Sequence, residues 1–204
     1  MFIALLGVFL SGNEILYAHN QSENTTVASD TNVALDRPAN HWILKTNLPY
    51  WGLVVPNIAV EYGFSDRWSV DIPVFYQPFT VAEAYRFRTF SVQPSLRYYL
   101  HSGMTGHFLG FHLTAGLFNI AVDHKTRYQD NGGMYGAGID YGYAFTFGKR
   151  WGLELNIGAG YIYTDYDKYY NIKDGALMGS GTKNYWGLTK FGISLTYLLN
   201  SRRK

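Results

Sequence analysis

The sequence predicts an all-β fold, an eight-stranded antiparallel up-and-down β-barrel, and three observations lead to it. Apolar and polar residues alternate with period two in eight segments after Asn40, while no segment carries a convincing period of 3.6. Short polar joints and longer joints rich in Tyr, Asn, Asp and Gly follow one another in strict alternation. The composition suits many short strands and tight turns, with 18% aromatic and 16% charged residues, 22 Gly and 18 Tyr in 204 residues.

Strands are expected near 41–48, 57–64, 67–76, 88–100, 106–118, 134–148, 151–164 and 184–198. Ser65-Asp66, His101 to Thr105 and Gly148-Lys149-Arg150 are the short joints; 49–56, 77–87, 119–133 and 165–183 are the long ones. An even strand number with short turns at one end and long loops at the other is the plan of bacterial outer-membrane barrels. Ahead of the strands, Met1 to Leu10 (MFIALLGVFL) is shorter than the roughly 20 residues a spanning helix needs. It reads as the core of a signal peptide over 1–18 with a cleavage site at Leu16-Tyr17-Ala18, although no basic residue precedes it. Residues 19–40, polar and without periodicity, read as a flexible N-terminal segment, and 41–199 as the barrel.

Alternation is shared by soluble sandwiches and membrane barrels, so the content of the two faces decides. One face carries Trp68, Val70, Ile72, Val74 and Tyr76, then Phe90, Val92, Pro94, Leu96 and Tyr98, then Trp151, Leu153, Leu155, Ile157, Ala159, Tyr161 and Tyr163. With the short joints at one rim, that rim gathers Trp42, Phe64, Trp68, Tyr98, Phe147, Trp151 and Tyr197. The other gathers Tyr76, Phe90, Tyr135, Tyr163 and Tyr185. Two aromatic rings around an aliphatic band match the girdles at lipid–water interfaces, so the barrel is expected to be transmembrane, in a bacterial outer membrane. The opposite face is small, with Gly136, Gly138, Gly142 and Ala144 on the sixth strand, as the narrow interior of an eight-stranded barrel requires.

The same inward register holds Lys45, Glu61, Asp71, Arg97, Asp140, Glu154 and Lys190, three cations facing four anions. Isolated buried charges are expensive, so these are expected to pair: Lys45 toward Glu61 and Asp71, Arg97 toward Asp71, and Lys190 toward Glu154 or Asp140. Inward His112 with Asp140 and either Ser95 or Thr114 has the residue types of a nucleophile–base set. A lone interior His is more often simply hydrogen-bonded, and no catalytic residue is assigned. His101, His107 and His124 lack metal-ligand spacing, and no metal is expected. Gly133 to Gly138 offers GxG spacing without the strand–helix setting a dinucleotide needs, so no cofactor is expected. A formal charge of +2 indicates no nucleic-acid partner, and the absence of cysteine excludes disulfides and thiolate metal sites.

Several segments have further meaning together: Lys45-Thr46-Asn47-Leu48, Gln93-Pro94, Leu96-Arg97-Tyr98, Gly106-His107-Phe108, and Tyr135-Gly136-Ala137-Gly138 with Tyr141-Gly142-Tyr143. Lys149-Arg150-Trp151 with Leu153-Glu154, Tyr166-Asp167-Lys168-Tyr169 and Lys183-Asn184-Tyr185 complete the series. In this order the chain resembles an uncharacterised domain-of-unknown-function family of Bacteroidota outer-membrane β-barrel proteins. The resemblance covers roughly 41–199 and implies a Gram-negative source and an association with fimbrillin-type pili. It carries no catalytic residues.

The expected function is a structural or surface-interaction barrel with a side-chain-filled interior; the alternatives are a narrow pore or transport protein and, behind it, a barrel enzyme. Recognition is expected in the outer loops, chiefly 165–183 with Tyr166, Tyr169 and Tyr170, and 119–133, because tyrosine gives broad contact at low rotamer cost. Outer-membrane lipid or lipopolysaccharide, a pilus component and a host surface are the expected partners. The other reading of these tyrosines is a rigid ladder that prolongs the strands.

Overall fold

The computed structural model describes residues 40–82, 85–121 and 123–199. The expected signal peptide at 1–18, and residues 19–39 of the segment expected to be flexible, lie outside the described residues. The strands are β1 (His41–Asn47), β2 (Asn57–Gly63), β3 (Trp68–Gln77), β4 (Thr80–Ala82), β5 (Tyr85–Val92), β6 (Ser95–Tyr99), β7 (Gly106–Ala121), β8 (Thr126–Phe147), β9 (Trp151–Tyr170) and β10 (Leu177–Leu198), with one helical turn, α1 (Leu48–Gly52), after β1.

All pairings are antiparallel. The pairs β1–β2, β2–β3, β7–β8, β8–β9 and β9–β10 join sequence neighbours, short β4 pairs with β5, and β1 also pairs with β10, Ile43 opposite Leu198 through Asn47 opposite Ser194, so the sheet closes into a ring of eight. The fourth member of the ring, expected as one strand over 88–100, is β5 and β6 in line: both pair with β3 on one side and β7 on the other. The break falls at Gln93-Pro94 because Pro94 has no N–H for the ladder. Its carbonyl still accepts from Leu113 N–H at 2.9 Å.

The long joints are corrected most. Of 165–183, expected as a loop, residues up to Tyr170 and from Leu177 onward are strand, leaving 171–176 as the turn. Of 119–133, residues up to Ala121 belong to β7 and those from Thr126 onward to β8. There Asp123 Oδ1 accepts the N–H groups of Lys125 (2.8 Å) and Thr126 (2.5 Å), a local turn device. The 49–56 joint holds α1, with Pro at its start and Tyr50 tucked against inward Phe75. The two ends of the ring therefore differ mainly in strand height: β8, β9 and β10 run on as a tall hairpin wall. Polar cross-strand pairs, Thr182 to Asp165 (2.9 Å) and Ser180 to Asp167 (2.5 Å), support it.

A bulge corrects one aromatic assignment. Leu188 pairs with Ala159 and Lys190 with Gly158, so Thr189 is the extra residue and the parity of β10 switches there. Above it Tyr185 points inward, against a buried cluster of Phe118, Ile120, Met134 and Ile162. Trp186 instead takes the outer face, 77% exposed and 4.9 Å from Tyr161. Tyr185→Ala is expected to lower stability by about 1–3 kcal/mol for a lost half-buried ring, whereas Trp186→Ala should change it by less than about 0.5 kcal/mol. Unfolding followed by circular dichroism checks the pair; a reversed order would contradict this parity.

Candidate functional site

The interior is built in layers. At the end of the short joints, Ile43, Tyr99, Met104, Phe108 and Leu198 form an apolar floor. Above it lie the charges. Tyr50, Val55 and Phe75 cover one side of the far end, and the Phe118 cluster the other.

All seven inward charged residues are buried. Glu61 and Asp71 are direct cross-strand neighbours, a like-charge pairing that would repel without cations between them. Lys45 supplies one: its Nζ contacts Glu61, reaches Glu154 at 2.5 Å and Asp71 at 3.5 Å. Arg97 supplies the other, with Asp71 at 2.7 Å, Glu154 at 2.9 Å and Glu61 at 3.5 Å. Neutral donors take up remaining lone pairs. Tyr99 Oη (2.9 Å) and Ser69 Oγ donate to Glu61, and Asn156 Nδ2 donates to Glu154 (2.9 Å). Phe108 lies under the Arg97 guanidinium, 4.6 Å from ring centre to carbon, so the floor and the charge layer are in contact.

A second layer sits deeper. Lys190 Nζ meets Asp140 at 3.4 Å, while its contact with Glu154, the other expected partner, is absent from the ion pairs of the described residues. Asp140 Oδ1 also takes Ser95 Oγ (3.3 Å) and His112 Nδ1 (2.9 Å). The hydroxyl on the far nitrogen of His112 is that of Thr189, at 2.9 Å; Thr114 instead accepts from Gln93. In the neutral tautomer that Asp140 favours, His112 Nδ1–H donates to the carboxylate and Nε2 accepts from Thr189. Thr189 is the residue that sequence reasoning missed. Only the bulge places it inside beside Lys190, since strict alternation would send one of two consecutive residues outward.

Three glycines make room for this layer. A Cβ at Gly110 would stand 2.6 Å from the Asp140 carboxylate, at Gly138 2.7 Å from His112 Nε2, and at Gly158 2.8 Å from the Asp140 side chain. At these distances a side chain would force its neighbours to shift. The arrangement resembles a hydroxyl–imidazole–carboxylate relay, yet Thr189, His112 and Asp140 are each at most 3% exposed. The cavity nearest the charges is about 30 Å³, lined by Lys45, Asp71, Arg97, Glu154 and Lys190 among others, too small for anything larger than about one water. Among the described residues no group of three His, Asp or Glu side chains could hold a metal ion.

The proposed recognition tyrosines are placed differently from a free loop. Tyr166 is half-buried, edge to face with Tyr128 at 5.6 Å and packed on the Phe118 cluster. Tyr169 lies under the Arg127 guanidinium (4.9 Å) and donates to Asp167 (3.3 Å). Tyr170 is exposed at the end of β9. The ladder reading of these residues matches the geometry, because residues paired in strands spend their ring faces on neighbours.

A closed antiparallel ring of eight strands around a sealed ion network is thus the class of structure. The particular family follows from a family model described as a protein of unknown function (DUF3575), which matches residues 25–199, and the chain belongs to that family. No curated protein and no solved structure matches the chain.

Lys45→Ala is expected to cost about 3–5 kcal/mol, because it leaves three carboxylates to one guanidinium in a dry layer. Exposed Lys149→Ala should cost less than about 0.5 kcal/mol. Denaturant unfolding of both variants reads the difference, and equal stabilities would show the network to be solvated. Gly138→Ala should lower stability by about 1–3 kcal/mol through overpacking against His112.

Proposed function

We propose that this chain is a β-barrel of a Gram-negative outer membrane, structural or interactive in role, with a lumen that does not conduct. The carrying observation is inverted polarity: charged residues are buried inside the ring while the outer face is apolar around its circumference. Ile72, Leu96, Leu109, Leu113, Ile139 and Ile157 are all exposed. A water-soluble protein rarely presents such a surface. Aromatic pairs bound the belt, Trp42 with Tyr62, Trp68 with Tyr98 and Trp151 with Tyr197 at one end, Tyr76 with Phe90 at the other. From Trp68 to Tyr76 is roughly 27 Å along the strand, or ~21 Å at a tilt of about 40°, close to the band of about 25 Å in such barrels. Closure of the ring also supports the reading, since lipid tolerates no unpaired sheet edge.

The plugged interior supports a structural or surface role over transport, and the sealing of His112 and Thr189 supports a non-enzymatic one. The tip of the β9–β10 hairpin, where Tyr170, Ile172, Leu177 and Met178 are exposed, is the surface we assign to a protein partner. The link to fimbrillin-type pili and to Bacteroidota rests on the motif resemblance alone, and export on the apolar run Met1 to Leu10.

The purified protein should require detergent, give a β-type circular dichroism spectrum, and migrate differently on gels before and after boiling. Cell fractionation should recover it with the outer membrane. A chain that stays dissolved and folded without detergent would overturn the proposal. In planar bilayers no large, steady conductance is expected; a persistent open channel would replace the structural reading with the pore.

A further inference from the structure

Cross-strand register lines up a polarity gradient on the outer face of β3, β5, β7 and β8. Tyr76, Phe90 and Leu117 are directly paired and exposed, at the upper edge of the apolar belt. One pair higher, Arg88 stands opposite Asn119, which stands opposite Gln129; one pair higher again, Arg86 and Arg127 flank Ala121. Successive steps are about 7 Å along the strand. A groove of about 310 Å³ runs between the two levels, lined by the apolar trio below and by Arg88, Asn119, Gln129 and Asp130 above, with Arg86 and Arg127 one step beyond its lining.

Three guanidiniums on one face repel one another, and the compensation is small: the Arg127 guanidinium stacks on the Tyr169 ring at 4.9 Å. Among the described residues none of the three forms a salt bridge. The nearby acids are engaged elsewhere: Asp130 accepts the Phe118 N–H at 2.7 Å, and Asp167 takes Ser180 and Asn131. The Nε atoms of Arg86 and Arg127 are buried without a hydrogen-bond partner. Buried donors of this kind call for an acceptor, and a planar fork suits phosphate oxygens.

The geometry points to a site for an anionic, phosphate-bearing lipid of the outer leaflet, its phosphate held by Arg86, Arg88 and Arg127 and its first acyl carbons laid on Tyr76, Phe90 and Leu117. The site rests on the membrane reading above, which puts Tyr76 and Phe90 at headgroup depth. Charge complementarity selects the phosphate, and continuity of the groove with the apolar belt selects a lipid over a soluble anion.

The test uses the full chain folded in neutral detergent, mixed with equal amounts of lipid A and phosphatidylcholine, with bound lipid read by native mass spectrometry. Lipid A should be retained preferentially, and the triple variant R86A/R88A/R127A should retain it at least about tenfold less, as expected for losing several charge-assisted hydrogen bonds. The heat-modifiable gel shift of that variant should persist. K149A/R150A, at the opposite rim, should bind lipid A as the parent does. Equal retention of the two lipids, an equal loss in K149A/R150A, or displacement of lipid A by inorganic phosphate would each overturn the site while the gel shift leaves the barrel intact. A parent chain that never acquires the heat-modifiable form would overturn the membrane reading, and the site with it.

Discussion

The β1–β10 ladder, from Ile43 opposite Leu198 to Asn47 opposite Ser194, closes the sheet on itself, and the rest of the molecule answers that closure. A ring of eight strands has an interior only as wide as two facing layers of side chains. Every inward residue must then be small, or be paired with what stands across from it. The glycines at 110, 138 and 158 meet the first demand, since each would otherwise collide with Asp140 or His112. The ion network meets the second.

That network joins distant parts of the chain. Lys45 on β1 reaches Glu61 on β2, Asp71 on β3 and Glu154 on β9, while Arg97 on β6 reaches the same three carboxylates from the other side. Such a cluster contributes little net stability over an apolar core of equal volume, because desolvation offsets most of the attraction. Its effect is on registry. A strand shifted by one residue would carry its charge outward and leave the opposing charges unpaired in a dry interior. Hydrogen bonds from Tyr99, Ser69 and Asn156 make the penalty for misregister steeper, since their donors too are buried.

The upper half of the molecule obeys a different constraint. Above the belt the wall of β8, β9 and β10 stands without strands of equal height opposite it, so its inward rings pack on one another and on the Phe118 cluster. This explains why Tyr166, Tyr128 and Tyr185 are spent on packing, whereas on the outer face Arg127 stacks on Tyr169 alone and none of Arg86, Arg88 and Arg127 forms a salt bridge among the described residues.

Period-two alternation sufficed to place Lys45, Glu61, Asp71, Arg97, Asp140, Glu154 and Lys190 on one face, because alternation depends only on local backbone geometry, and the even strand count implied that the first strand meets the eighth. The family motifs were legible for the same reason, as short runs in a shared order. Strand ends were not. Asp165 and Asp167 read as loop residues until Thr182 and Ser180 stand opposite them, and that pairing is a non-local fact. The bulge at Thr189 was likewise silent, because one extra residue in a ladder is defined only against the partner strand, where Leu188 and Lys190 face consecutive residues Ala159 and Gly158. The sequence by itself therefore determined which face each residue takes within an unbroken strand. Tertiary pairing decided where strands continue and where parity changes, and with them the partner of His112, because register is a property of two chains of atoms and never of one.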